Sequence, residues 1–132
     1  EALLDRVRGQ ALKSGLLPVQ HPLHGPAMVP LLPRIVRRLT KWRPRDPRFP
    51  LCSHATGAWL QTGEACWDEV LASVALPVRW PTVVQALRDR AQEAFECGYG
   101  TQLANLTRWV DRGWSVRSLQ DPKALALWSE TR

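Results

Sequence analysis

The chain has 132 residues with 45% hydrophobic and 23% charged side chains, enough for one compact core and too few for two ordinary domains. No apolar run approaches the roughly 20 residues that span a bilayer, and the opening Glu1-Ala2-Leu3-Leu4-Asp5 is not a basic region before an apolar stretch, so neither an integral membrane protein nor an intact signal peptide is expected. The net charge of +6 is uneven: residues 1–48 hold ten basic and three acidic side chains, whereas residues 49–132 hold eight and nine.

Residues 2–14 read as a helix, because Leu3, Leu4, Val7, Ala11 and Leu12 recur at helical spacing and Gly15 is a natural stop. Prolines at 18, 22, 26, 30 and 33 then deny the chain a helix or a central strand, which leaves an extended strap over 16–33 packed along the domain by its many apolar residues. Pro33 opens a short helix to about Trp42, with Ile35, Val36 and Leu39 inward. A helix over Gly63–Val74 follows, capped by Thr62. Thr82 with Gln85 forms a capping-box pattern that starts a helix running to about Gly98, its buried side built from Val83, Val84, Leu87, Ala91, Ala94 and Phe95. Thr101–Arg112 is another helix, with Leu103, Leu106, Trp109 and Val110 inward, and Asp121-Pro122 opens the last. No segment alternates with period two. The expected fold is therefore all-α: a single compact domain of five or six helices with a proline-rich extended strap, divided into a helix (1–15), the strap (16–33), a basic stretch (34–48) and a helical body (53–132).

The basic stretch holds seven cations and one anion in fifteen residues. Such a density repels itself unless an anion offsets it, and a phosphate backbone is the commonest polyanion available. Arg34, Arg37, Arg38, Lys41, Arg43, Arg45 and Arg48 are candidate phosphate contacts, six of them able to grip oxygens in a bidentate fork, and Trp42 among them could stack on a base. The bland alternative is a solvated helix face with Trp42 in the core.

Glu93-Ala94-Phe95-Glu96-Cys97-Gly98-Tyr99-Gly100-Thr101-Gln102 resembles the small-residue turn of AraC-type helix-turn-helix regulators, and Leu106-Thr107-Arg108-Trp109-Val110-Asp111-Arg112-Gly113 resembles the recognition helices of MerR-like and excisionase-like proteins. The resemblance covers about residues 82–114. It implies a DNA-binding hairpin in which Thr101, Gln102, Asn105, Arg108 and Arg112 face the major groove or its phosphates.

Cys52, Cys66 and Cys97 form neither an even set nor a CxxC pair, so a disulfide framework is not expected and an intracellular, reducing setting in the cytoplasm, nucleoid or nucleus is. His21, His24, Cys52, His54 and Cys66 are the residues with metal-ligand chemistry, and a strap folded back on the loop after Pro50 could bring two of these groups together, but their spacing matches no zinc module. His54 with Cys66 could be drawn as base and nucleophile, with no evident orienting residue. No P-loop, dinucleotide loop, GxSxG elbow or paired-carboxylate motif is present. The expectation is a nucleic-acid-binding protein, with DNA a better partner than RNA, and not an enzyme, without metal, cofactor or membrane contact. The alternative is an assembly module, a helical subunit of a larger nucleoprotein complex that docks on a protein partner or on its own copies.

Overall fold

A computed structural model of the chain describes residues 2–11, 19 and 21–130. Along these run α1 (Ala2–Val7), a 3-10 helix (Pro26–Leu31), α2 (Leu32–Arg38), β1 (Leu51–Cys52), β2 (Trp59–Leu60), α3 (Gly63–Ala75), α4 (Trp80–Arg88), β3 (Glu93–Glu96), α5 (Gln102–Val110), β4 (Ser115–Ser118) and α6 (Pro122–Glu130). The all-α expectation is thus corrected to a mixed α/β architecture. Six α-helices are joined by an antiparallel pair, β1 with β2, and a parallel pair, β3 with β4.

The largest departure lies between α4 and α5. The helix expected from Thr82 to about Gly98 ends at Arg88, and Glu93–Glu96 turns into a strand that pairs in parallel with β4, Glu93 opposite Ser115 and Glu96 opposite Ser118. A parallel pair requires a crossover, and α5 supplies it. Glu96 makes that crossover possible: its buried carboxylate accepts the backbone N–H of Leu103 at 2.9 Å and of Ala104 at 3.0 Å, filling the positive end of α5. The helix then turns Ala104 and Thr107 inward against β4 and α4, small side chains suited to close approach, and leaves Leu103, Leu106, Trp109 and Val110 exposed rather than buried as expected. Trp114 closes the unit by donating its indole N–H to the Ala91 carbonyl at 2.9 Å.

The first half differs too. The helix expected over 2–14 is seen as α1, and Leu12 to Pro18 lie outside the described residues. The latter part of the strap winds into the 3-10 helix and runs on into α2, which ends at Arg38, short of Trp42. The Thr62 cap of α3 is present: its hydroxyl accepts the Ala65 N–H at 3.2 Å. Gly63 beside it is pressed against the chain at Pro44, where an added Cβ would lie 2.3 Å from the carbonyl oxygen.

The β1–β2 turn is tied to α3 through one carboxylate. Ser53 is 2% exposed, and its hydroxyl oxygen accepts the N–H groups of Ala55 and Thr56. Glu69 on α3 accepts the backbone N–H of His54 at 2.7 Å and its Nδ1, with the Ser53 hydroxyl as a further donor. Burial alone would raise the Glu69 carboxyl. The bonds from Ser53 and from His54, together with the charge of the His54 ring, outweigh that and hold it below the ordinary value.

Two outcomes follow for stability. Gly63→Ala forces a Cβ into backbone that cannot yield cheaply, and urea titration should show a loss of about 1–3 kcal/mol. Because the Glu69 carboxyl is depressed by folding, its contribution is fully present above the unfolded value of about 4.3 and is lost as pH falls through the lower folded value. The gap in urea midpoint between the parent protein and Glu69→Gln should therefore be wide at pH 6 and narrow at pH 3.

Candidate functional site

The last turn of a helix leaves carbonyls without partners inside the helix. In α3 one residue of the strap takes two of them. His24 donates its backbone N–H to the Val74 carbonyl at 3.1 Å, and its Nδ1 lies 2.5 Å from the Ser73 carbonyl oxygen. A carbonyl only accepts, so the proton sits on Nδ1 and the lone pair on Nε2. The residue has φ 59, the left-handed region a β-carbon disfavours, so the backbone is bent to place this ring. The ring is exposed. A fixed tautomer, a bare Nε2 and an open face are the attributes of a general base.

Behind it stands a second imidazole. The His54 ring lies with its centroid 6.1 Å from that of His24, tilted by 54°. Its Nδ1 is committed to Glu69, and its Nε2 is buried with no hydrogen-bond partner. The Cys52 thiol on β1 is pushed up first by burial and then by the Glu69 charge, which keeps it protonated and unreactive. The strap has indeed folded back on the loop after Pro50, and it joins His24 to His54. Among the described residues, however, no three His, Cys, Asp or Glu side chains converge as a metal cage. His21 is exposed, and Cys66 is buried on α3, where it is not seen bonded to His54. Next to this pair, Ala55, Thr56, Leu76, Pro77, Arg79 and Thr82 line an open cavity of about 440 Å³.

The residues predicted from charge lie elsewhere. Arg34, Arg37 and Arg38 line a shallow concavity on and beside α2, and Lys41, Trp42, Arg43, Arg45 and Arg48 are exposed on the turn and loop that follow. Arg43 is spent on the carbonyls of Thr40 and Trp42, and Trp42 packs its ring against Trp67 at 5.6 Å. Gln102, Asn105, Arg108 and Arg112 are exposed on or just after α5, where Asn105 donates its amide to Thr101. They do not form a helix-turn-helix. A strand separates α4 from α5, and the Glu96 carboxylate occupies the helix start from which a groove-reading helix would meet phosphate. His24 was in view only as a possible ligand. Its one sequence signal as a base is a histidine before Gly25 in a proline-dense strap, where neither helix nor strand accounts for it.

No protein-family model matches the chain. Malonyl CoA-acyl carrier protein transacylase of Escherichia coli K12 is 26% identical over 111 residues, 83% of this chain and 36% of that protein. In structure the chain is similar to an acyl-carrier-protein S-malonyltransferase from Burkholderia pseudomallei, with a TM-score of 0.80 at 27% identity over 93% of this chain and 41% of the other. It is also similar to a malonyl-transacylase solved in complex with a type II PKS acyl-carrier protein, with a TM-score of 0.83 at 24% identity over 97% and 42%. The chain thus spans a little over a third of the length of the curated relative. These findings overturn the helix-turn-helix, DNA-binding and nucleoprotein-subunit readings, and with them the expectation of a protein that is not an enzyme: the relatives are named as transacylases, and one is seen on an acyl carrier protein rather than on nucleic acid. No helix among the described residues is long and apolar enough to cross a membrane. The fold of this chain is that of the matched part of the malonyl transacylases.

Proposed function

We propose that this chain carries the proton-handling part of an acyl-transfer centre that moves a malonyl group between coenzyme A and an acyl carrier protein, the transfer for which its relatives are named. The observation that carries the reading is His24, with Nδ1 anchored on the Ser73 carbonyl, Nε2 bare and the ring open to an incoming group.

Exchange between two thioesters needs a nucleophile stronger than a neutral thiol, whose ordinary pKa is about 8.5. In the proposed step the acceptor thiol, or a protein hydroxyl that holds the acyl group in between, gives its proton to Nε2 of His24 as its sulfur or oxygen attacks the acyl carbonyl. The tetrahedral intermediate collapses, the donor carbon–sulfur bond breaks, and the leaving thiolate takes that proton back. Ser73 supports both states, because its carbonyl accepts the Nδ1–H of the neutral ring and of the imidazolium alike. The exposed guanidinium groups of Arg34, Arg37 and Arg38 follow His24 by way of the 3-10 helix, and on this reading they meet the anionic groups of the carriers. Residues 1–132 then work as one unit, inside the cell, where the free thiols of Cys52, Cys66 and Cys97 are at home.

The test is transfer from malonyl-CoA to a pantetheinylated carrier protein, followed by the mass of the carrier. In the full chain, His24→Ala and His24→Gln should each lower the rate by roughly 10²–10⁴-fold, with the melting temperature within a few degrees of the parent. Undiminished transfer by both variants would reject the assignment.

A further inference from the structure

Coenzyme A and an acyl carrier protein offer a transferase the same arm: a thiol at one end, amides and a branched apolar carbon along it, and a phosphate ester at the other. A centre that works on the thiol therefore needs a place, further along the arm, for the phosphate. The open cavity of about 440 Å³ next to the two imidazoles is built from the elements that hold them. Ala55 and Thr56 continue the chain from His54, and Leu76 and Pro77 follow the carbonyls that anchor His24. The Arg79 backbone N–H binds the His54 carbonyl at 2.9 Å. Gly57 lets the β1–β2 turn press against the start of α4: an added Cβ would lie 2.9 Å from Thr82 Cγ2, and its φ of 74 is one a side chain disfavours.

The wall of this cavity is chemically divided. Ala55, Leu76 and Pro77 are apolar, Thr56 and Thr82 bring hydroxyls, and among the described residues that line it only Arg79 carries charge. The Thr56 hydroxyl oxygen accepts the Ala58 N–H at 3.2 Å, which leaves its proton for another acceptor. Three arginines that follow Arg79 are spent inside the protein, Arg88 on Asp111, Arg90 over the face of Trp59 and Arg117 on Glu93. Among the described residues Arg79 is in no ion pair, and its side chain is exposed. Its backbone is fixed at both ends, by the His54 carbonyl and by the Val83 N–H. A guanidinium so placed and without a carboxylate partner is suited to fork a phosphate. We propose that the cavity takes the phosphopantetheine arm: Arg79 grips the phosphate with the Thr56 and Thr82 hydroxyls, and Ala55, Leu76 and Pro77 flank the apolar carbons, with the thiol toward His24. The group recognised is common to donor and acceptor, so one arginine serves both halves of the exchange.

The role of this site in turnover rests on the acyl-transfer reading, whereas binding of the arm is measurable without it. In ¹H–¹⁵N NMR titrations of the full chain, phosphopantetheine should bind saturably and shift the amides of Ala55, Thr56 and Thr82. Pantetheine, which lacks the phosphate, should bind the parent roughly 10-fold more weakly, and Arg79→Gln should weaken phosphopantetheine to the same degree, as expected for one charge-assisted contact. Arg79→Lys, which keeps the charge and loses the fork, should fall between. In malonyl transfer, Arg79→Gln should raise KM for malonyl-CoA and for the carrier protein alike, with kcat little changed. A parent that binds phosphopantetheine no better than pantetheine overturns the proposal without any variant, and so does equal affinity in folded Arg79→Gln. A KM raised for malonyl-CoA but not for the carrier also overturns it, because Arg79 then reads the acyl carboxylate instead. Arg79-dependent binding of phosphopantetheine in a protein that transfers no malonyl group leaves the site standing and removes the acyl-transfer reading.

Discussion

The structure turns on the carboxyl end of α3. The last turn of a helix leaves carbonyls to be satisfied by something else, and here the Ser73 and Val74 oxygens are claimed by one residue 49 and 50 positions earlier in the chain. These two bonds, with the packing of the 3-10 helix against α3, hold the strap against the helical body. The bond to Ser73 also fixes the proton of the His24 ring. The Ser73 oxygen lies at the negative end of the helix, which makes it a good acceptor for the ring's Nδ1–H. The backbone at His24 is left-handed, a conformation a side chain disfavours and one held here by the two bonds to the end of α3.

Features set by neighbours in sequence were readable in it. Thr62 caps α3 and Asp121 accepts the Lys123 N–H at the head of α6, as the residues around them suggest. Features set by distant partners were not. Glu93-Ala94-Phe95-Glu96 contains good helix formers, and nothing local says that its hydrogen bonds will go to Ser115–Ser118, twenty-two positions away. The apolar residues of α5 kept helical spacing and so read as an inner face. Ala104 and Thr107, too small to weigh in a periodicity argument, are the ones that reach β4 and α4.

The candidate site was hidden for a related reason. A catalytic histidine held by a carboxylate can be sought as a pair of residue types, but a backbone carbonyl has no residue identity, so the support of His24 by Ser73 leaves no mark in composition or spacing. His54 and Glu69 do form such a pair, fifteen residues apart and joined across the β1–β2 turn, and their pairing became visible only when α3 was placed behind that turn. The basic stretch misled in the opposite sense. Its charge density is real and its side chains are exposed, but charge names the sign of a partner and not its kind.

The two imidazoles that meet beside α3 have anchors of different kinds. The ring anchored on a neutral carbonyl has one tautomer and one open nitrogen. The ring anchored on a carboxylate has its Nδ1 committed to Glu69 and its Nε2 closed off. The exposed ring carries the first kind of anchor and the enclosed ring the second. The order in which strap, turn and helix stack therefore decides which of the two rings presents a nitrogen to the outside.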